Sequence, residues 1–111
     1  MLSPQQREMI EGALAAQGFF RYLGTEIVEV DAGLCTLALS RRPELLQQNG
    51  YFHGGVIAYL VDNASAAAAA TCLRAGQTVL TAEYKLNFLS PARGERLVCR
   101  AAVVRAGRRM T

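Results

Sequence analysis

The chain holds one histidine, and it stands in a tripeptide, His53-Gly54-Gly55, at the head of an apolar stretch whose only carboxylate is Asp62. Residues 48–72 read QNGYFHGGVIAYLVDNASAAAAATC, and the middle of that run is too apolar on every side for a surface helix. A carboxylate there loses hydration unless it is paired or used, so Asp62 is either a structural partner to some other group or a working acid/base. Two glycines at the helix start leave backbone N–H groups uncovered, where the helix dipole places partial positive charge. A polarised carbonyl oxygen or an oxyanion would be stabilised at that spot.

Several other chemistries lack their parts. A lone histidine has no second imidazole for a metal site and by itself reads as a structural hydrogen-bonding group. Cys35, Cys72 and Cys99 are odd in number and widely spaced, which fits neither a disulfide framework nor a CxxC motif, so buried free thiols are expected. Cys72 lies at the far end of the predicted helix from His53, which excludes a Cys-His nucleophile, and no GxSxG elbow is present for a serine hydrolase. The net charge of +3, with a late cluster at Arg105, Arg108 and Arg109, is mild and lacks interleaved aromatics. That excludes a nucleic-acid platform and leaves a solvated basic face or a site for a polyphosphate-bearing ligand.

The elements that must position these residues follow from punctuation and periodicity. Ser3-Pro4-Gln5-Gln6 predicts a capping box, with Ser3 as N-cap and Pro4 at the first helical position, and a helix to about Ala16 that ends at Gly18. Residues 25–39 predict a hairpin around Asp31-Ala32-Gly33, and 41–52 a loop. The buried helix should then run to near Gly76. Residues 78–89 and 95–105 are long strand candidates around the turn Ser90-Pro91-Ala92-Arg93-Gly94. The order gives an α+β domain spanning 1–111, in which an antiparallel sheet wraps one central apolar helix, with the alanines allowing close approach. Ala106-Gly107-Arg108 reads as a further turn followed by only three residues, so C-terminal strands are expected to be missing or truncated and a sheet edge unpaired. The longest apolar run, Val56–Cys72, is interrupted by Asp62, Asn63 and Ser65 and is short for a bilayer span. With no signal peptide in the first residues, a cytoplasmic protein without a membrane segment is expected.

QQNGYFHGGVIAYLVDNASAA, together with the strand-turn LTAEYKLNFLSPARGE, resembles the hotdog-fold acyl-CoA thioesterases of the phenylacetic-acid-pathway thioesterase-like group, over nearly the whole chain. The resemblance implies hydrolysis of an acyl-CoA thioester, with no metal or cofactor. It implies that the Gly54 N–H polarises the thioester carbonyl and that Asp62 acts as general base on water or as nucleophile. Asn49 and His53 match positions that orient the carbonyl or thiol end, and Thr81 falls where similar proteins hold the attacking water with a hydroxyl. Gly55 belongs to the same binding motif.

Gly54 and Asp62 are eight residues apart on one helix, which separates them by roughly 12 Å. They cannot both touch one thioester carbonyl. In a two-fold dimer with antiparallel central helices, Gly54 of one chain faces the partner's Asp62, giving two equivalent sites, and the resemblance implies the same arrangement, with a homotetramer built from such dimers. Tyr51, Phe52, Tyr59 and Phe88 are candidates for an acyl pocket. Arg93, Arg105, Arg108 and Arg109 are candidates for the CoA phosphates. A non-catalytic acyl-CoA-binding module is the competing function, with Asp62 then structural. A dehydratase acting on hydroxyacyl thioesters fits less well, since it wants a differently patterned His and carboxylate pair.

Overall fold

Ser3 starts the first helix with the reciprocal cap that the sequence predicts: its Oγ accepts from the Gln6 N–H at 3.1 Å, and Gln6 Oε1 accepts from the Ser3 N–H at 2.9 Å. In the computed structural model, which describes residues 1–111, this helix is α1, Pro4–Ala16. It does not run into a loop at Gly18. A second helix, α2, Gly18–Leu23, follows at once, buries Phe20 and Leu23, and ends at Gly24 in the left-handed region at φ 73°. The N-terminus is pinned to the first hairpin, where the Leu2 N–H donates to Asp31 Oδ1 at 3.2 Å and the Arg7 guanidinium donates to the Val30 carbonyl.

Strands β1, Glu26–Asp31, and β2, Leu34–Ser40, form the predicted hairpin, and β3, Arg96–Ala102, pairs antiparallel with β2 on its other side. Leu37 sits opposite both Ile27 and Cys99, which makes it the centre of the sheet. On β2 the side chains of Cys35, Leu37 and Leu39 are wholly inaccessible and join Leu60, Ala64 and Ala68 in one core. Those last three belong to α3, Gly54–Ala70, which lies across β2 and β3. The alanines leave little between helix and sheet, as expected, because a methyl group adds almost no thickness to a helix face. The α+β layout of an antiparallel sheet around a central apolar helix is therefore present.

Four expectations are corrected. The helix stops at Ala70, short of Gly76, because Thr71 turns its hydroxyl to the Ala68 carbonyl at 2.6 Å while accepting the Gly33 N–H at 2.7 Å, tying the helix end to the β1–β2 turn. Residues 78–89 alternate as a strand should, yet they pair with none of the three strands, so no ladder defines them. The strand predicted over 95–105 is shorter, since pairing with β2 ends at Ala102 opposite Leu34, where the hairpin turns away. The thiols are not uniformly buried: Cys35 is, Cys99 is half-buried, and Cys72, just past the end of α3, is exposed.

Candidate active site

The loop into α3 is closed by a residue that the sequence reading passed over. Gln47 Oε1 accepts the Asn49 N–H at 2.6 Å and the Tyr51 N–H at 3.1 Å, while its backbone N–H donates to the Tyr51 carbonyl at 2.8 Å. The amide thus acts as an internal brace, and Gly50 takes the positive φ of 85° that the tight turn requires. Nothing in periodicity marks such a residue. Asn49 itself is exposed and joins the brace through its backbone.

The brace delivers His53 to the helix start. Its N–H donates to the Leu45 carbonyl at 2.9 Å, and its Nδ1 accepts the Gly55 N–H at 2.8 Å, so His53 is the N-cap of α3 and carries its ring proton on Nε2. This divides the two glycines. A Cβ on residue 55 would stand 3.0 Å from His53 Nδ1, so glycine is what lets the imidazole fold over the helix end. The Gly55 N–H is therefore taken. Only the Gly54 N–H donates to no group of the chain, and it points out of a helix start where the dipole favours negative charge. The Phe88 ring lies 3.8 Å from the place a Gly54 Cβ would occupy.

Two turns along α3, the Thr81 hydroxyl donates to Asp62 Oδ1 at 2.7 Å. The segment 78–89 thus runs back along the helix, with Thr81 beside the carboxylate and Phe88 beside the glycine end. Asp62 is partly exposed rather than sealed in the core, and it lines a pocket of about 550 Å³ with Ala66, Cys72, Leu73, Thr81 and Arg108. Arg93 is at the other end of the helix, in the loop whose Ala92 carbonyl accepts the Phe52 N–H at 2.9 Å.

Tyr59 is not brought to this pocket. Its hydroxyl lies 2.7 Å from Thr25 Oγ1 and accepts from Asn63 Nδ2 at 3.2 Å, and its ring meets Phe19 edge-on with centroids 5.0 Å apart. It locks α3 to α2. Cys35 and Cys99 do not supply a nucleophile either. Burial, with the neighbouring Cys99 thiol adding to it, pushes Cys35 up to about 11, and burial also raises Cys99.

The geometry therefore has two poles on one helix, an unpaired N–H at Gly54 and a hydroxyl-braced carboxylate at Asp62. Residues 49–111 match the family model of the Thioesterase superfamily. A thioesterase family protein from Silicibacter pomeroyi is 35% identical and superposes with a TM-score of 0.89, over 93% of this chain and 76% of that one. Acyl-coenzyme A thioesterase 13 of Homo sapiens is 32% identical over 104 residues, 92% of this chain and 74% of the human protein. A Saccharolobus solfataricus relative is 30% identical over 97 residues, and there the match covers 64% of the relative's length.

Proposed function

This chain belongs to the thioesterase superfamily and has the hotdog fold, and we propose that it hydrolyses an acyl-CoA thioester to a free carboxylic acid and CoA-SH, at sites shared across a two-fold dimer. The observation that carries the reading is the Thr81–Asp62 hydrogen bond of 2.7 Å. It fixes one carboxylate oxygen and leaves the other to take a proton from water. The resulting hydroxide adds to the thioester carbonyl carbon, and the charge that develops on the carbonyl oxygen meets the Gly54 N–H of the other chain at its helix start. Collapse of the tetrahedral adduct breaks the C–S bond, and CoA leaves as the thiolate, which takes the proton that Asp62 removed from water, giving CoA-SH and restoring the carboxylate.

Distance and exposed surface support the dimer. Eight helical residues separate the two poles by roughly 12 Å, too far for one carbonyl. Leu80, Tyr84 and Phe88 are 88%, 54% and 59% exposed on a segment whose backbone no strand covers, the kind of apolar edge that a second copy buries. The sheet face turned away from α3 carries Val98, 52% exposed, opposite the buried Ala38, and pairing of dimers there extends the proposal to a tetramer. Arg108 and Arg109, which line the Asp62 pocket, and Arg93, in the loop near the Gly54 end, are cations available to CoA phosphates.

The test is Asp62→Asn, which preserves size and removes the base. Turnover followed by loss of thioester ultraviolet absorbance should fall about 10²-fold or more, with KM little changed. A folded Asp62→Asn protein with wild-type turnover would remove Asp62 from the chemistry, and binding of acyl-CoA with no turnover in the wild type would make the chain a binding module.

A further inference from the structure

α1 and the second half of α3 enclose a groove of about 750 Å³, well within the size range of ligand pockets. Met9, Ile10 and Ala13 form its α1 wall, Ala66 and Ala70 lie on the α3 side, and Leu73 follows the helix end. Arg74 is the only charged residue that touches it. The groove adjoins the Asp62 pocket: Ala66, Leu73 and residues 77–79 line both. Met9 is 72% exposed at its edge, an apolar side chain left in water beside an apolar channel.

We infer that this groove receives the acyl chain of the substrate, and that the substrate class is the medium- to long-chain aliphatic acyl thioester. The inference rests on the hydrolase reading above. Asp62, Ala66 and Ala70 are four residues apart each, so they form one stripe along α3 that leads from the carboxylate into the groove. That stripe is about 12 Å long from Asp62 to Ala70. With C–C bonds of about 1.5 Å, an extended chain of about ten carbons spans it. The stripe beyond Asp62 consists of the methyl groups of Ala66 and Ala70, which leave width for the chain, with polar side chains such as Gln6, Gln17 and Gln77 elsewhere in the lining. Short acyl groups end before the groove, and a charged acyl tail would lose hydration against it with Arg74 as the only charged residue in reach.

The test is a series of saturated acyl-CoAs from butyryl to dodecanoyl, run on the whole chain by thioester absorbance. Each methylene taken from water is worth up to about fourfold in kcat/KM. The value should rise at least tenfold from butyryl to decanoyl and then level off. Two variants block the groove from opposite walls: Ala70→Phe on α3, and Ala13→Phe on α1, where the exposed position tolerates the larger side chain without a folding penalty. Each should cut decanoyl-CoA kcat/KM at least tenfold and leave butyryl-CoA within twofold. If the wild type cleaves thioesters with no dependence on chain length, or if folded Ala13→Phe leaves the decanoyl-to-butyryl ratio unchanged, the groove assignment is overturned while the hydrolase reading stands. If no acyl-CoA of any length is cleaved, the hydrolase reading fails first and the groove assignment with it.

Discussion

A shared site makes a quantitative demand on mixed dimers. Gly54 is the first residue of α3, where proline is tolerated because the N–H has no helical partner. His53, with φ −63° and ψ 138°, already has the extended backbone that a following proline requires. Gly54→Pro therefore deletes the one N–H proposed to meet the oxyanion while sparing the helix, and the loss of such a donor costs about 10²–10³ in kcat. Asp62→Asn costs a similar factor at the other pole. Each variant alone should show about 1% of wild-type activity or less. In a heterodimer, however, the Asp62→Asn chain supplies an intact Gly54 and the Gly54→Pro chain an intact Asp62, so one of two sites is whole. After equal mixing and random subunit exchange, half the dimers are mixed and half their sites are intact, which gives about one quarter of wild-type activity. The assay is thioester absorbance after exchange, with heterodimer formation followed by mass spectrometry of differently tagged chains. Activity that stays at the level of the single variants despite proven exchange would refute the shared site, and with it the joint action of Gly54 and Asp62 on one carbonyl.

The other predictions use local interactions. Thr81→Val should lower kcat about tenfold with KM unchanged, since a hydrogen bond to a charged acceptor is worth about 1.5–3 kcal/mol and partial exposure lets water replace some of it, and Thr81→Ser should restore activity; an unchanged kcat would free Asp62 from its brace. The backbone N–H groups of Ala32 and Leu2 hold the Asp31 carboxyl below its ordinary value of 3.8, so the stability it contributes is complete above about pH 4 and is lost as pH falls through 3.8 towards the lowered value. Asp31→Asn should accordingly flatten the acid limb of Tm against pH, and two parallel limbs would count against the anchoring of the N-terminus. A thiol reagent at pH 8 should modify one cysteine per chain quickly, Cys72, with Cys35 and Cys99 reacting only on unfolding; fast modification of all three would contradict the burial that raises those two thiols.

Where local signals decide the structure, the sequence carried it. The Ser3 cap, the Asp31-Ala32-Gly33 turn, the start of α3 at Gly54 and the hotdog thioesterase family could all be read from residues alone, because caps, turns and apolar runs are short-range features. The misses are long-range. Residues 78–89 have the period of a strand, but a strand exists only against a partner, and none of β1, β2 and β3 takes that role. The end of α3 depends on a hydroxyl that reaches the Gly33 N–H, a contact between positions far apart in the chain. At the site, the resemblance marked Asp62 and Thr81 separately, while the hydrogen bond between them joins positions 19 apart in the chain and has no local signal. The removal of Tyr59 to a brace with Thr25 and Asn63 was not legible either, since an aromatic on a helix carries no mark of which neighbour its hydroxyl meets.

The HGG tripeptide shows how little sequence a functional pole needs and why each letter matters. Uncovered N–H groups at both glycines would make the helix start a diffuse positive end with two competing donors. Instead His53 caps Gly55 through Nδ1, and Gly55 permits this only because it has no Cβ to obstruct the ring. The helix is thereby closed at its second position and left open at its first, which concentrates the remaining donor capacity of that turn on the single N–H of Gly54. The position of a Gly54 Cβ lies at ordinary contact distance, 3.8 Å, from the Phe88 ring, so the glycine and this aromatic are neighbours at the helix start. The histidine thus acts through the helix it caps: by taking the Gly55 N–H it leaves Gly54 as the one amide of the pair free to meet a carbonyl oxygen, the role proposed for it.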